Sequence, residues 1–186
     1  MSTSCTRGDS YNLPRRAALA AGVALATLVL AWGPAVAQTT SAAAGSLQIS
    51  GEVPHPLTLS PSEIAAMPHV SARATDHSGK AATYDGVPLT AILERAGVTF
   101  GATLRGPRLA SYIVIDAADG YRAVFAIAEL DSAFTVKQVL VVDRKDGAPL
   151  SADEGPLRVV VPDEKRPARW VHQVTGIRVL SAPPKS

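Results

Sequence analysis

Short runs of alternating apolar and polar residues dominate the chain after residue 45, and they predict strands. The clearest signal is "LASYIVIDAADGYRAVFAI", where two apolar runs flank Asp119 and Gly120 and predict a β-hairpin. Further strands are predicted by "SLQISGEV", "HPLTL", "HVSARAT", "AATYDG", "QVLVVDRKDGAPL", "LRVVVP" and "GIRVL". Most of the chain is therefore expected to form sheets.

Helical periodicity is confined to three short segments. In "SPSEIAAMP", Ser60 is a good N-cap, Pro61 suits the first helical position and Glu63 completes a capping box. "VPLTAILERAGV" predicts an amphipathic helix of about three turns, and "AELDSAF" predicts a shorter one. This pattern favours a β-rich α+β fold, with a mixed sheet or barrel-like core, over a parallel doubly wound sheet.

The N-terminal segment has the pattern of a secretory signal. Arg15 and Arg16 precede the apolar run "AALAAGVALATLVLAW", and small residues follow at Ala35 and Ala37. We expect a cleaved signal over residues 1–37 and a periplasmic protein; a membrane anchor is the alternative. The paired arginines fit twin-arginine export as well as the general route. Residues 38–45 then form a small-residue tether, and 46–182 a single domain.

The expected mature chain is electrically neutral, which argues against nucleic acid as a partner. Residues 38–186 carry 15 basic and 15 acidic side chains, whereas residues 156–186 alone carry six basic and two acidic ones. A basic end on a neutral protein indicates a local anion site. The single cysteine, Cys5, lies in the signal segment, so the mature chain has no disulfide, thiolate nucleophile or cysteine metal ligand. No histidine pair has the spacing of a preformed zinc site.

The basic end contains the most informative stretch, "GPLRVVVPDEKRPARWVHQV". Arg158 interrupts an apolar strand, and a buried guanidinium needs a partner for its charge. That partner is either an acidic neighbour, Asp153 or Glu154, or a bound phosphate or carboxylate. Further cationic or titratable residues surround Trp170 in the same stretch, namely Lys165, Arg166, Arg169 and His172.

Four segments in order resemble the molybdopterin-binding domain of the sulfite-oxidase-type oxidoreductases, especially their short exported bacterial members. They are "YDGVPLTAILERAGV", "DGYRAVFAIAELD", "GPLRVVVP" and "ARWVHQVTGIRVL". The resemblance implies the sulfite-oxidase-type α+β fold and a pterin cofactor with molybdenum. By position it assigns Arg158, Arg169 and His172 to the cofactor's phosphate and points the loop of Asp76 and His77 toward the metal.

One departure leaves the function open. The family's molybdenum-ligating cysteine belongs in the loop "SARATDHSGKAATYDG", which contains none. The chain is therefore either a molybdopterin-dependent oxidoreductase with a periplasmic or membrane redox partner, or a non-catalytic binding or interaction module of the same fold. A third hypothesis is a cofactor-free structural domain in which an acidic neighbour neutralises Arg158.

Overall fold

Two sheets, one mixed and one antiparallel, organise the computed structural model, which describes residues 45–183. The predicted signal segment lies outside the described residues. The first sheet has the order β2-β1-β10-β5-β6, and only the β1–β10 pair is parallel. Its strands are β1 (Leu47–Gly51), β2 (Leu57–Leu59), β5 (Ser111–Ala117), β6 (Arg122–Ala126) and β10 (Val174–Ser181).

The second sheet is antiparallel and carries the residues of interest for function. Its main path is β3-β4-β7-β8, and β9 pairs with β7 outside that path. Its strands are β3 (Val70–Thr75), β4 (Ala81–Pro88), β7 (Leu140–Lys145), β8 (Ala148–Pro149) and β9 (Arg158–Val160). All three residues of β9 are buried, as the continuous apolar run predicts.

Helices are short, as expected from the sequence. They are α1 (Pro61–Ala65), α2 (Leu89–Arg95) and 3₁₀ helices at Gly101–Thr103, Gly106–Ala110, Ile127–Glu129 and Pro167–Arg169. The capping box of α1 is present, with Ser60 accepting from the Glu63 N–H and the Glu63 carboxylate accepting from the Ser60 N–H. None of the helices among the described residues is both long and apolar enough to cross a membrane.

Two predicted helices are shorter than the sequence pattern suggested. Strand β4 continues to Pro88, so α2 begins only at Leu89 and has seven residues. The segment "AELDSAF" forms no α-helix: a 3₁₀ turn ends at Glu129, and Asp131 then accepts hydrogen bonds from the backbone of Gly101 and Ala133. An aspartate that bonds nearby backbone competes with helix formation.

The predicted hairpin is confirmed. Strands β5 and β6 pair from Tyr112–Ala126 to Asp116–Arg122. In the turn, Asp119 accepts from the Tyr121 N–H at 2.8 Å, and Gly120 has a φ of +87°. Only glycine adopts that conformation without strain.

Both sheets contribute to one hydrophobic core. A single cluster of buried side chains includes Ile113 and Phe125 of the first sheet and Tyr84 and Val141 of the second. The sheets do not close into a barrel. The fold is thus α+β and β-rich, and it brings β4, β7 and β9 side by side.

The β4–β7 pairing leaves no room for a side chain at Gly86. A Cβ atom there would lie 2.4 Å from the Val141 carbonyl oxygen and 2.5 Å from the Val142 Cα, both backbone atoms. We expect Gly86→Ala to lower the free energy of unfolding by about 2 kcal/mol or more, since the paired strands must shift. Gly176→Ala is the matched control, because its Cβ would meet nothing closer than 3.7 Å. Urea unfolding measures both, and equal stability of the two variants would contradict this account of the pairing.

Candidate functional site

Arg158 is a buried cation at the start of β9. Its side chain is 1% exposed and forms an ion pair with Glu154, four residues earlier. Asp153, the other acidic neighbour, is exposed. The sequence left two kinds of partner open, an acidic neighbour or a bound anion. In the structure the acidic neighbour Glu154 pairs with this guanidinium.

Two aromatic rings accompany the guanidinium. The Arg158 Cζ lies 5.6 Å from the ring centroid of Tyr84 and 5.3 Å from that of Trp170. The two rings meet edge to face with centroids 5.6 Å apart, and the indole N–H of Trp170 donates to the Val161 carbonyl at 3.2 Å. Aromatic faces attract cations within about 6 Å, so the rings stabilise the charge as well as enclose it.

Lys145 extends this ion pair into a chain of alternating charge. Its Nζ lies 3.2 Å from Glu154 Oε1 and 3.8 Å from Asp76 Oδ2. The order is Arg158, Glu154, Lys145 and Asp76, two cations and two carboxylates. We call these four residues with Tyr84 and Trp170 the Arg158 cluster. Its formal charges cancel without any ligand.

The turn between β3 and β4 is organised by Asp76. Its Oδ1 accepts from the Ser78 hydroxyl at 2.6 Å, the Ser78 N–H at 2.9 Å and the Lys80 N–H at 3.1 Å. His77 lies in the same turn and is exposed. The carboxylate therefore fixes the turn, while the imidazole is free to face solvent.

The charges around His172, in the C-terminal loop, act on its imidazole ring. Burial of the ring, followed by the positive charge of Arg158, lowers the pKa of His172 below its ordinary value of 6.5, and the charge of His77 acts weakly in the same direction. The ring is consequently uncharged at neutral pH. The structure thus places Arg158, His172 and the His77 turn within electrostatic reach of one another.

Arg169 makes its contacts elsewhere. Its guanidinium pairs with Glu164 and with Glu129 at 3.1 Å, donates to the Val124 carbonyl at 3.1 Å and lies 4.1 Å from the centroid of the Phe125 ring. These contacts fasten the C-terminal loop to β6. Its predicted cofactor contact remains a prediction, and its charge is already matched by two carboxylates.

Two donors of the Arg158 cluster have no acceptor. The Arg158 Nε and the Tyr84 hydroxyl are both buried and have no hydrogen-bond partner among residues 45–183. Buried donors are nearly always satisfied, and leaving one unpaired costs about 1–3 kcal/mol. The cluster is therefore balanced in charge but still has hydrogen-bonding capacity.

Tyr84 and Lys145 are the members of the cluster that sequence reasoning did not select. Tyr84 stands in the alternating run "AATYDG", whose period of two does place Ala82 and Tyr84 on one face. Nothing local marks Lys145, because the contact arises from the register that sets Tyr84 opposite Lys145. In the described part of the chain, no group of three or more His, Cys, Asp or Glu could hold a metal ion.

The lowered pKa of Asp76 predicts how the stability of the fold changes in acid. The hydrogen bond from the Ser78 side chain, above all, lowers the pKa of Asp76 from 3.8 to about 2. A carboxyl whose pKa is lower in the folded state stabilises the fold above its unfolded pKa and loses that effect as the pH falls. Between about pH 4 and pH 2 the free energy of unfolding should therefore decrease, and Ser78→Ala should make the decrease smaller.

Urea unfolding at both pH values, with an NMR titration of the Asp76 carboxyl, measures this. Ser132→Ala is the control, since Ser132 is exposed and donates to no carboxylate within residues 45–183. An acid response identical in all three proteins would refute the role given to Ser78.

Comparison with solved structures supports the fold. The chain resembles the crystal structure of the sulfane dehydrogenase SoxCD from Paracoccus pantotrophus with a TM-score of 0.59 and 20% sequence identity. The match covers 73% of this chain and 38% of that chain, so this chain spans well under half the length of the protein it resembles. At this identity the likeness concerns the fold alone.

Comparison of sequences identifies the family. No curated protein sequence matches the chain. The sequence profile of the family described as "Oxidoreductase molybdopterin binding domain" matches residues 32–186. The match covers most of the chain, includes every strand of both sheets and confirms the resemblance noted from the four motifs. The chain therefore belongs to the molybdopterin-binding domain family of the sulfite-oxidase type.

Proposed function

We propose that this chain is an exported, non-catalytic binding domain of its family, which holds a phosphate-bearing pterin at the Arg158 cluster. The observation that carries the proposal is the pair of buried donors without acceptors, Arg158 Nε and Tyr84 OH, in a cluster whose charges are already balanced. The unpaired donors favour a ligand that accepts hydrogen bonds. The balanced charge means that such a ligand must compete with the carboxylates of the cluster.

The residues around the Arg158 guanidinium fit such a ligand. A phosphate oxygen accepts charge-assisted hydrogen bonds from a guanidinium, and these are roughly twice as strong as neutral ones. Arg158 Nε and Tyr84 OH have no other acceptor, but both are enclosed by the fold, so a phosphate oxygen reaches them only when the side chains that cover them move aside. His172, uncharged at neutral pH, can add a hydrogen bond but no permanent charge.

Glu154 opposes the same ligand. Its carboxylate contacts both cations of the cluster, Arg158 and Lys145. A phosphate that approaches Arg158 meets this negative charge and must share or displace it. Glu154 therefore sets the affinity of the site for anions.

The β3–β4 turn, which the family resemblance points toward the metal, does not fit molybdenum held by a protein thiolate. This turn offers Asp76 and His77, and the only cysteine of the chain is Cys5. A hard oxygen or a nitrogen ligand does not replace a soft thiolate, and Oδ1 of Asp76 already accepts three hydrogen bonds within the turn. We therefore assign ligand binding to this chain and derive no redox step.

Export completes the proposal. It is supported by Arg15, Arg16, the apolar run after them and the small residues Ala35 and Ala37. Cleavage after Ala37 would give a mature N-terminus at Gln38, which N-terminal sequencing of the periplasmic protein reads directly.

Equilibrium dialysis against an oxidised pterin that bears a terminal phosphate tests the binding claim. We expect the wild-type protein to bind it saturably and Arg158→Met to bind it at least tenfold more weakly. Glu154→Gln should bind it several-fold more tightly, because the competing carboxylate is gone. Asp153→Asn, a change at the exposed neighbour, should leave binding unchanged.

Circular dichroism melts establish that each variant is folded before dialysis. Absence of binding in both the wild type and folded Glu154→Gln would overturn the proposal. So would equal binding by wild type and Arg158→Met, which would place the ligand elsewhere. Protein isolated from its own source that holds stoichiometric molybdenum and turns over a substrate would contradict the non-catalytic assignment.

A further inference from the structure

A cavity of about 460 Å³ opens at one end of the first sheet, apart from the Arg158 cluster. The end of β1, the exit of α2, and the ends of β5 and β10 surround it. None of the six residues of the Arg158 cluster lines it. Its size lies within the range of small-molecule sites, about 300–1,000 Å³.

The floor of this cavity is apolar. It is formed by four side chains that are between 2% and 8% exposed and belong to different elements, namely Val98, Leu104, Ile127 and Val179. Such a floor favours the burial of an aliphatic or aromatic group of a ligand.

One wall carries a carboxylate held by neutral donors. Glu52 accepts from the Ser181 hydroxyl at 2.6 Å and the Ser181 N–H at 3.3 Å, and the hydroxyls of Ser181 and Ser111 are 3.2 Å apart. Among residues 45–183 no cation forms an ion pair with Glu52. The carboxylate is therefore oriented by neutral donors alone.

A guanidinium lines the same cavity. Arg108 donates to the Thr99 hydroxyl at 2.8 Å and to the Thr99 carbonyl at 3.2 Å. Within the described part of the chain it too has no carboxylate partner. A fixed anion and a fixed cation thus line one apolar-floored cavity without neutralising each other.

We propose that this cavity binds a small zwitterion with an apolar side chain, that is, a free amino acid or short peptide. Its ammonium group pairs with Glu52 and Ser181, its carboxylate with the Arg108 fork, and its side chain packs on the apolar floor. An adjoining cavity of about 440 Å³ shares Arg108, Ser111 and Ser181, which leaves room for a second residue of a peptide.

Isothermal titration calorimetry of the full chain tests this with L-leucine and with the dipeptide of two leucines. At least one of them should bind saturably at millimolar concentration or below. Isopentylamine lacks the carboxylate and 4-methylpentanoate lacks the ammonium group, so each should bind at least tenfold more weakly than leucine. Which zwitterion binds more tightly distinguishes a site for free amino acids from one for peptides.

Variants locate the binding. Glu52→Gln and Arg108→Gln should each weaken the binding of the preferred zwitterion at least tenfold. Arg105→Gln is the control and should leave binding unchanged, because Arg105 is an exposed arginine of the same loop that does not line the cavity. No saturable binding of either zwitterion to the wild type would overturn the proposal. Binding retained by both folded variants, or equal binding of the singly charged analogues, would also overturn it.

Discussion

A fully buried guanidinium constrains the second sheet and the loops around it. Removing a charge from water costs several kcal/mol unless the fold supplies partners. Glu154 is the carboxylate partner of Arg158, and the other members of the cluster come from separate parts of the chain. Glu154 precedes β9, Lys145 ends β7 and Asp76 opens the β3–β4 turn, while Tyr84 supplies an aromatic face. Through Glu154 and Lys145, the buried guanidinium is thus linked to the end of β7 and to the β3–β4 turn.

That internal neutralisation also decides what the site can do. The Arg158 cluster has two carboxylates interleaved with its two cations, and His172 is uncharged at neutral pH. What remains for a ligand is hydrogen-bonding capacity at Arg158 and Tyr84.

Local signals predicted much of this structure. Neighbouring residues in the sequence predicted the capping box at Ser60, the hairpin at Gly120 and the apolar strand at Arg158. They also predicted Glu154 as one of two candidate partners of Arg158. Lys145 could not be predicted from the sequence. It lies opposite Tyr84 only because β4 pairs with β7, and the two residues are 61 positions apart in the sequence. Arg169 shows the same limit for one of its two carboxylate partners. Glu164 is five residues away, but Glu129 is 40 residues away, so the position of Arg169 beside Trp170 in the sequence did not predict its contacts.

The central claim is that Glu154 neutralises buried Arg158, and a double-mutant cycle tests it most directly. The free energy of unfolding is measured for the wild type, Arg158→Met, Glu154→Gln and the double variant. Glu154→Gln leaves buried Arg158 without a carboxylate, and Arg158→Met removes one of the two cations that Glu154 contacts. The double variant should therefore be more stable than the sum of the single losses predicts, by more than about 1 kcal/mol. Losses that add to within about 0.5 kcal/mol would show that the two side chains act independently, and would contradict the account.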